Sequence, residues 1–436
     1  MRILTLLIIA ILSGCSVKDI PLRDSLPEKQ VERWWEIYEN KELTSLIQTA
    51  LNDNWKIRSL RYRLKQSLAL KLEALSKLSP NLEARASKGV EKSEGEPSYR
   101  SESLRFSLYY DPDIFKKNRN RVDSATFASY ETATQNQAVK IELSVDLANS
   151  YHSYCAEREK LTLLNKKLTL LKKRAEIIRH RLLSNEKSLP ELLQAKSKIE
   201  SVEYEIKKSR LLAQTYERSI LYLISKEKKA PSLECTESRT PKKLPEISIE
   251  DLKNRPDLEA FFYRVKKYES DYEFSTKLRL PSIEISALLS YDALSLSNLL
   301  KEWFLSLSAS ASSTLYDGGG IKAQRDLSYN KTMEALYLYR DALLKALNDA
   351  VESKKRVDYQ QKRVAYIESK IVNDEKRAQS GYEYMLSLEK TPIEFVDYEI
   401  ELLEDRIDLL ETKKLLMEYI ADYYLKTTAG WERIEK

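Results

Sequence analysis

Histidine is almost missing from this chain, which has only His152 and His180 among 436 residues. A His-based triad or a metal centre needs ligating or proton-accepting partners nearby, and neither residue has them in the sequence. Both histidines fall in charged, helix-forming stretches and are expected on solvated faces. Cysteine is nearly as scarce. Cys155 lies in a helical stretch and Cys235 in a proline-containing linker, without metal-ligand spacing, and the sequence leaves open whether they pair. Only eight glycines occur, against abundant Leu, Lys, Glu and Ala, which is how long helices are written. Gly318-Gly319-Gly320 lacks the Lys-Ser/Thr that a phosphate loop needs. With no nucleophile–base–orienter set either, no enzyme activity, cofactor or metal is expected. The net charge is +6 with 32% charged residues, but both signs are interleaved along the chain. Without a basic patch, nucleic acid is not an expected partner.

Long apolar runs are also absent. The first of any length runs from Ile3 to Ile11 behind Arg2 and ends in Leu12-Ser13-Gly14-Cys15. A basic start, a short apolar core and small residues describe a secretory signal over residues 1–14. Such a run is too short for a transmembrane helix, which takes ~20 residues. Leu-Ser-Gly-Cys resembles a bacterial lipobox, which implies acylation of Cys15 and a lipidated N-terminal segment over 15–40. Ser16, a residue other than Asp, then implies outer-membrane sorting. A plain signal peptide with an incidental cysteine is the alternative. No later apolar segment is long enough to span a bilayer as a helix, so any further crossing must use strands.

The chain is duplicated. Asn54-Trp55-Lys56-Ile57 begins 26 residues before Pro80, and Arg255-Pro256-Asp257-Leu258 begins 26 residues before Pro281. The two prolines stand 201 residues apart, and Asp113-Ile114-Phe115 precedes Thr314-Leu315-Tyr316 by the same interval. Ser188-Leu189-Pro190-Glu191 and Thr391-Pro392-Ile393-Glu394 match at nearly that offset. Two repeats follow, 41–228 and 251–436, joined by a lysine- and proline-rich linker over 229–250. In each, a helix (about 41–77; 252–278) leads to a β-hairpin (about 81–110; 282–315). A very long helix (about 118–184; 321–379), a tip (about 184–189; 380–391) and a returning helix (about 189–225; 392–425) complete the unit.

From Trp303 to Leu315, Leu305, Leu307, Ala309 and Ala311 alternate with Ser306, Ser308, Ser310 and Ser312. Leu104, Phe106, Leu108 and Tyr110 alternate in the same way with Arg105, Ser107 and Tyr109. Period-two alternation gives one apolar and one polar face. It suits an outer-membrane barrel wall with a serine-lined lumen, and equally a half-buried hairpin of a soluble domain. For a barrel, four strands are too few, because open edges cannot face lipid. A membrane-crossing protomer of this kind must share its barrel with identical copies.

The helices carry heptads. Leu161, Leu164, Leu168, Leu171, Ala175, Ile178 and Leu182 step by three and four, answered by Leu192, Ala195, Ile199, Val202 and Ile206. Val396, Ile400, Leu403, Ile407 and Leu410 repeat the pattern, which by itself fits any antiparallel coiled-coil hairpin. Ser188 with Glu191 and Thr391 with Glu394 form capping-box patterns beside the turns Ser184-Asn185 and Ser380-Gly381.

Taken in order, several motifs resemble the TolC-like outer-membrane factor family, in particular its lipoprotein branch serving resistance-nodulation-division pumps. They are Trp34-Trp35, Glu42-Leu43, Ala50-Leu51-Asn52-Asp53-Asn54, Asn254-Arg255-Pro256-Asp257-Leu258, Leu315-Tyr316-Asp317-Gly318-Gly319 and Gly430-Trp431. The resemblance implies a mainly helical chain with a small β part. It also implies a homotrimer whose twelve-stranded barrel in the outer membrane continues as a twelve-helix tunnel through the periplasm. A periplasmic adaptor and an inner-membrane transporter would be its partners, with transport energy coming from the transporter. Ser184, Asn185, Ser188, Ser380 and Gly381 would meet the adaptor, and Asp317, Gly318 and Gly319 would form the strand-to-helix junction. The resemblance makes Glu394, Asp397 and Glu191 candidates for an acidic ring at the periplasmic aperture. For Glu394, helix capping is an equal reading, and for Asp397 the helix N-terminus offers another. Lys116 and Ser184-Asn185 stand where the family favours glycine, and the second tip is longer than usual. A type I secretion duct, or a periplasmic coiled-coil scaffold of another class, are the competing functions.

Overall fold

The computed structural model describes residues 33–92, 94–95, 99–184, 187–226, 233–241, 244–245, 252–293, 303–387 and 392–427. Cys15, Asn185, Thr391, Gly430 and Trp431 lie outside these residues. A 3₁₀ turn, Trp34–Tyr38, opens the described chain. The first repeat then runs α1 (Lys41–Asp53), α2 (Trp55–Ser76), β1 (Asn81–Glu91), β2 (Tyr99–Tyr110), α3 (Lys117–Leu183) and α4 (Leu189–Leu223). The second runs α5 (Pro256–Thr276), β3 (Ser282–Ala293), β4 (Trp303–Ser312), α6 (Gly320–Ser387) and α7 (Pro392–Thr427).

Two expectations about helices are corrected. The single helix expected over 41–77 is two helices, broken at Asn54. Its side-chain oxygen accepts from the N–H groups of Lys56 (2.8 Å) and Ile57 (3.2 Å), the capping role that Asn performs well and Ala cannot. Ser380 and Gly381, expected in a turn, lie inside α6, which continues to Ser387. A lone glycine costs a helix only about 1 kcal/mol, and the good helix formers around it carry the helix onward. The segment beyond Ser387 that leads to α7 lies outside the described residues.

The four strands form one antiparallel sheet in the order β1-β2-β3-β4, so the hairpins of the two repeats join through β2 and β3. The 67-residue α3 spans ~100 Å at 1.5 Å per residue. Distal to the sheet, α4 and α7 flank α3, and α6 packs on α7. Nearer the sheet, α2 and α5 flank α3, and α6 packs on α5. α2 therefore stacks end to end on α4, and α5 on α7.

Both stacking joints use the sequence motifs that marked the repeat. The Asn54 amide donates to the Leu223 carbonyl at the end of α4 (2.8 Å). The Arg255 guanidinium donates to the Lys426 carbonyl near the end of α7 (2.5 Å), held flat by a two-pronged pair with Asp257 (2.8 and 3.1 Å). Pro256 starts α5, where its missing N–H costs nothing. The helix-end carbonyls would otherwise lack donors.

The largest core surrounds these joints, at mid-length. Trp34, Trp35 and Tyr38 pack with Leu43, Ile47, Tyr151, Ile220, Ile420 and Tyr424. The Trp34 indole N–H donates to the Ser144 hydroxyl (2.8 Å), and the Tyr38 hydroxyl donates to the Met417 carbonyl (3.0 Å). Across this core runs the strap 233–241. The Asn40 amide donates to the Thr236 carbonyl (2.9 Å), and a disulfide joins Cys155 to Cys235 with the Cα atoms 5.4 Å apart. The pairing that the sequence left open is thus made. His180 is exposed, as expected, but His152 is buried, edge-on to Tyr38 (4.7 Å) and Tyr151 (5.6 Å). The helical periodicity turns it toward the tyrosine core rather than to solvent.

Candidate functional site: sheet faces, junctions and helix tips

Register decides the faces of the sheet. Directly paired residues share a face, which gives five apolar rows. In order along the strands these are Ile283–Ala311; Tyr110–Ile285–Ala309; Leu82–Leu108–Ala287–Leu307; Ala84–Phe106–Leu289–Leu305; and Ala86–Leu104–Tyr291–Trp303. Ser306, Ser308, Ser310 and Ser312 all lie on the opposite face, with Glu83, Arg85, Arg105, Glu284 and Asp292. Hydroxyl pairs Ser87–Ser103 and Ser286–Ser308, each at 2.7 Å, cross that face, and Arg105 reaches Asp292 at 3.6 Å. Leu288, Phe304 and the aromatic Tyr109 are exceptions on it. Among the described residues no helix packs across the apolar face, and Leu307 in its central row is 74% exposed.

Strand-to-helix junctions are built alike in the two repeats. Asp317 accepts from the Gly319 N–H (3.1 Å) and the Ile321 N–H, and Gly318 and Gly319 adopt φ of 66° and 95°, where a side chain is strained. The N–H groups, Ile321 first, hold the Asp317 carboxyl below the usual range. In the first repeat Asp113 accepts from the N–H groups of Asn118 (2.8 Å) and Arg119 (2.9 Å). Lys116 there takes φ of 57° without being glycine, at a cost on the order of 1–2 kcal/mol. The departure from glycine is therefore strained, and the cap persists.

The first tip and the start of α7 lie at one end, because Ile178 on α3, Ala195 on α4 and Ile393 on α7 form one cluster. Above it, Leu164, Leu171, Val202, Ile206, Val396 and Ile400 make a seam shared by three helices. Beside this seam runs a ladder of ion pairs joining α3 to α7: Lys160–Glu411, Lys167–Glu404 (2.9 Å) and Arg174–Asp397. Each rung is seven residues from the next on both helices, so the ladder fixes their antiparallel register.

The three acidic candidates stand differently. Glu191 closes a capping box, accepting from the Ser188 N–H and from Lys187 (both 2.8 Å), and the lysine first, then the backbone, lower its pKa to about 2. Asp397 is half-exposed and bound to Arg174. Glu394 is exposed on the first turn of α7, and its expected capping partner Thr391 lies outside the described residues. Ser184 and Ser188 are exposed at the first tip beside Leu183 and Leu189. Sequence reasoning missed Arg174 and the exposed tip leucines. Leu183 and Leu189 fall outside the heptad seam, which was the available signal.

Two flanks remain open. α4 and α6 sit at the two ends of the distal helix layer, and both carry apolar stripes in solvent. Tyr337, Leu344, Val351, Tyr359 and Tyr366 mark α6 at steps of seven or eight, and Tyr204, Leu211 and Tyr222 mark α4. β1 and β4 likewise have unpaired edges. Among the described residues no helix is long and apolar enough to cross a membrane, and no cluster of three or more metal-ligating side chains occurs.

The outer membrane efflux protein family matches residues 46–224 and 249–421, which are the two repeats. The chain is 23% identical over 390 residues to the pyoverdine export outer membrane protein OpmQ of Pseudomonas aeruginosa, covering 83% of this chain and 81% of that protein. It is 22% identical over 366 residues to the multidrug resistance outer membrane protein MdtQ of Escherichia coli, covering 77% and 74%. The fold is similar to the outer membrane protein VceC of Vibrio cholerae, with TM-score 0.80 and 20% identity over 92% of this chain and 99% of that one. It is also similar to the CmeC outer membrane channel of Campylobacter jejuni, with TM-score 0.80 and 17% identity over 93% and 89%.

Proposed function

The chain belongs to the outer membrane efflux protein family, and from that premise we propose that it is the passive exit duct of a tripartite efflux system. The carrying observation is the unsealed sheet: four strands, one face with five successive apolar rows and two unpaired edges. Such edges are not tolerated in lipid, and a closed barrel of eight or more strands removes them. Three copies joined β4 to β1 give one barrel, and the same rotation lays the stripe on α6 against the stripe on α4. The apolar rows then face lipid, and Ser306, Ser308, Ser310 and Ser312 face the lumen. Acylated Cys15 anchors the chain to the outer membrane, and the helices extend into the periplasm. The exposed tip around Leu183, Ser184 and Ser188 receives a periplasmic adaptor, behind which an inner-membrane transporter supplies the energy. OpmQ and MdtQ are named for export of pyoverdine and for multidrug resistance, which favours small-molecule cargo over the protein cargo of a type I secretion duct. Glu394, Asp397 and Glu191 are the acidic candidates to line an aperture, of which Glu191 closes its cap and Asp397 binds Arg174. Carboxylates near the three-fold axis would favour cations.

The test joins mass measurement in detergent with planar-bilayer recording. A trimer that conducts is the expected result. A monomer that leaves the bilayer sealed would leave the family's fold in place but convict the duct reading, and the periplasmic scaffold would take its place.

A further inference from the structure

The second helical hairpin holds two acids against each other. Asp374 on α6 and Asp405 on α7 have side chains only 13% and 10% exposed. Each carboxylate commits one oxygen to a cation: Arg377 lies 3.2 Å from Asp374, and Lys370 binds Asp405. The other oxygen of each, Oδ2, is buried and has no donor. Lys370 reaches across to Asp405 and Arg377 to Glu401, so Asp374, which lies between them on α6, is set against Asp405 on α7.

Two ionised carboxylates in this position would leave two buried acceptors unsatisfied and two like charges in contact. A single proton between them removes both penalties. The surrounding charge points the same way. Facing the pair are Lys370 and Arg377 from α6 and Glu401 from α7, and Arg377 also binds Glu401 and lies 5.2 Å from the centre of the Tyr398 ring. With both acids ionised the cluster carries three negative and two positive charges, and one proton makes it neutral. The next groups are paired among themselves: Arg406 with Glu375 (3.0 Å), and Lys167 of α3 with Glu404 (2.9 Å). A metal cation is a poor occupant, since only two carboxylates converge and each already carries a lysine or arginine.

We propose that Asp374 and Asp405 share one proton and form a pH-sensitive latch between α6 and α7, which holds the distal hairpin together while protonated and loosens it when the proton leaves. The hydrogen bond with Asp405, and then partial burial, raise Asp374 above the usual carboxylate range. A raised folded-state pKa gives stability that is complete below the unfolded value and is lost as pH rises through the folded one. The latch therefore weakens toward the alkaline side. It sits 13 residues from Ser387, the last residue of α6, or ~20 Å along the helix, so it acts on the arm leading to the second tip. The inference rests on the fold alone and stands whether or not the chain conducts.

Hydrogen exchange of the full-length protein in detergent, followed by mass spectrometry and corrected for intrinsic rates, reads the latch directly. Protection of 366–380 and 398–408 in the wild type should fall by about tenfold per pH unit between the ordinary carboxylate pKa and the raised one. Segments around Lys160 and Glu411 should show no such slope. In Asp374→Asn the amide donates to Asp405 without titrating, so protection should stay at the wild-type low-pH level throughout. Asp405→Asn should do the same from the other side and serves if the first variant folds poorly. The infrared carbonyl band of a protonated carboxyl, titrating above the usual range, should vanish in either variant. A flat wild-type profile, or a slope that survives in both amide variants, overturns the proposal.

Discussion

Leu307 and Ser308 are neighbours in sequence on opposite faces of β4, and replacing each by arginine separates a lipid-facing wall from every other use of the sheet. Leu307 occupies the third of five apolar rows, two rows from either rim. Successive rows are two residues apart, or ~7 Å along a strand and ~5 Å in depth at a tilt near 40°. Five rows thus make a band on the order of 20 Å tall with Leu307 near its midplane. Arginine at the midplane of a barrel costs roughly 2–4 kcal/mol, and three copies in a trimer roughly 6–12 kcal/mol. Arginine at Trp303, in the outermost row, should cost about 0–1 kcal/mol per copy. Ser308→Arg enters the polar face and should leave stability near that of the wild type. The assay is denaturant-induced unfolding of the protein reconstituted into phospholipid vesicles, with the yield of detergent-resistant trimer from outer membranes as a cellular check. A graded order, Leu307→Arg far worse than Trp303→Arg and Ser308→Arg mildest, is expected. Equal losses at Leu307 and Ser308, or none at either, would refute the assignment of faces to lipid and lumen.

Three further outcomes follow from the equatorial layer. Cys155→Ser opens a loop of 80 residues, for which loop-closure entropy gives about 4.5 kcal/mol. Calorimetry should show the loss, and limited proteolysis should cut the strap 233–241 first. Burial pushes the His152 imidazole down to about 4, so its folded form resists protonation. Its contribution is therefore whole above the unfolded value near 6.5 and is lost as pH falls toward 4, by about 3 kcal/mol in all. Denaturation midpoints should show that slope in the wild type and lose it in His152→Phe. Asn54→Ala removes a cap worth about 1 kcal/mol and strips the Leu223 carbonyl of its donor at about 1–3 kcal/mol. Its thermal midpoint should drop clearly, whereas Asn52→Ala, two residues away and exposed, should change little.

What could be read from the sequence depended on whether the physics was local. Strand alternation and heptads are short-range patterns, and both located their elements closely. The same is true of the Ser188–Glu191 cap, whose partners lie three residues apart. Long-range contacts were not legible. Nothing near Cys155 points to Cys235, and their meeting requires the whole α3–α4 hairpin to return the chain to mid-length. His152 looked solvated because its stretch of helix is charged, whereas in space it meets Tyr38, 114 residues away, as well as the adjacent Tyr151. Asn54 and Arg255 were noticed as repeat landmarks without their purpose, since their carbonyl partners lie 169 and 171 residues away. Gly381 was misread for a different reason: a residue often found at helix ends is also tolerated inside a helix of sufficient propensity. Asp397 was read as an aperture acid or a helix N-terminal one, because the α3–α7 register, and so its pairing with Arg174, emerges only in three dimensions.

The distribution of the core carries one more consequence. The equatorial layer buries Trp34, Trp35, Tyr38, Tyr151 and Tyr424 within one copy of the chain and is further tied by the disulfide. The distal helices share a seam within the protomer but leave the stripes on α4 and α6 in water. Among the described residues no core cluster includes a strand residue, so the sheet has little of the hydrophobic burial that mainly drives folding. A lone protomer therefore has reason to fold at its equator first and to leave the sheet marginal, since one apolar sheet face without a packing partner is not an independently stable unit. In the proposed barrel, closure would supply the edge hydrogen bonds and lipid the apolar surroundings. The edge bonds cannot form before neighbouring copies meet. On that reading, assembly and completion of the sheet are a single event. Hydrogen exchange on a dilute monomeric form should find β1 to β4 unprotected while α1 and the middle of α3 are already slow to exchange. A monomer with a fully protected sheet would mean that the strands are held by something other than their copies.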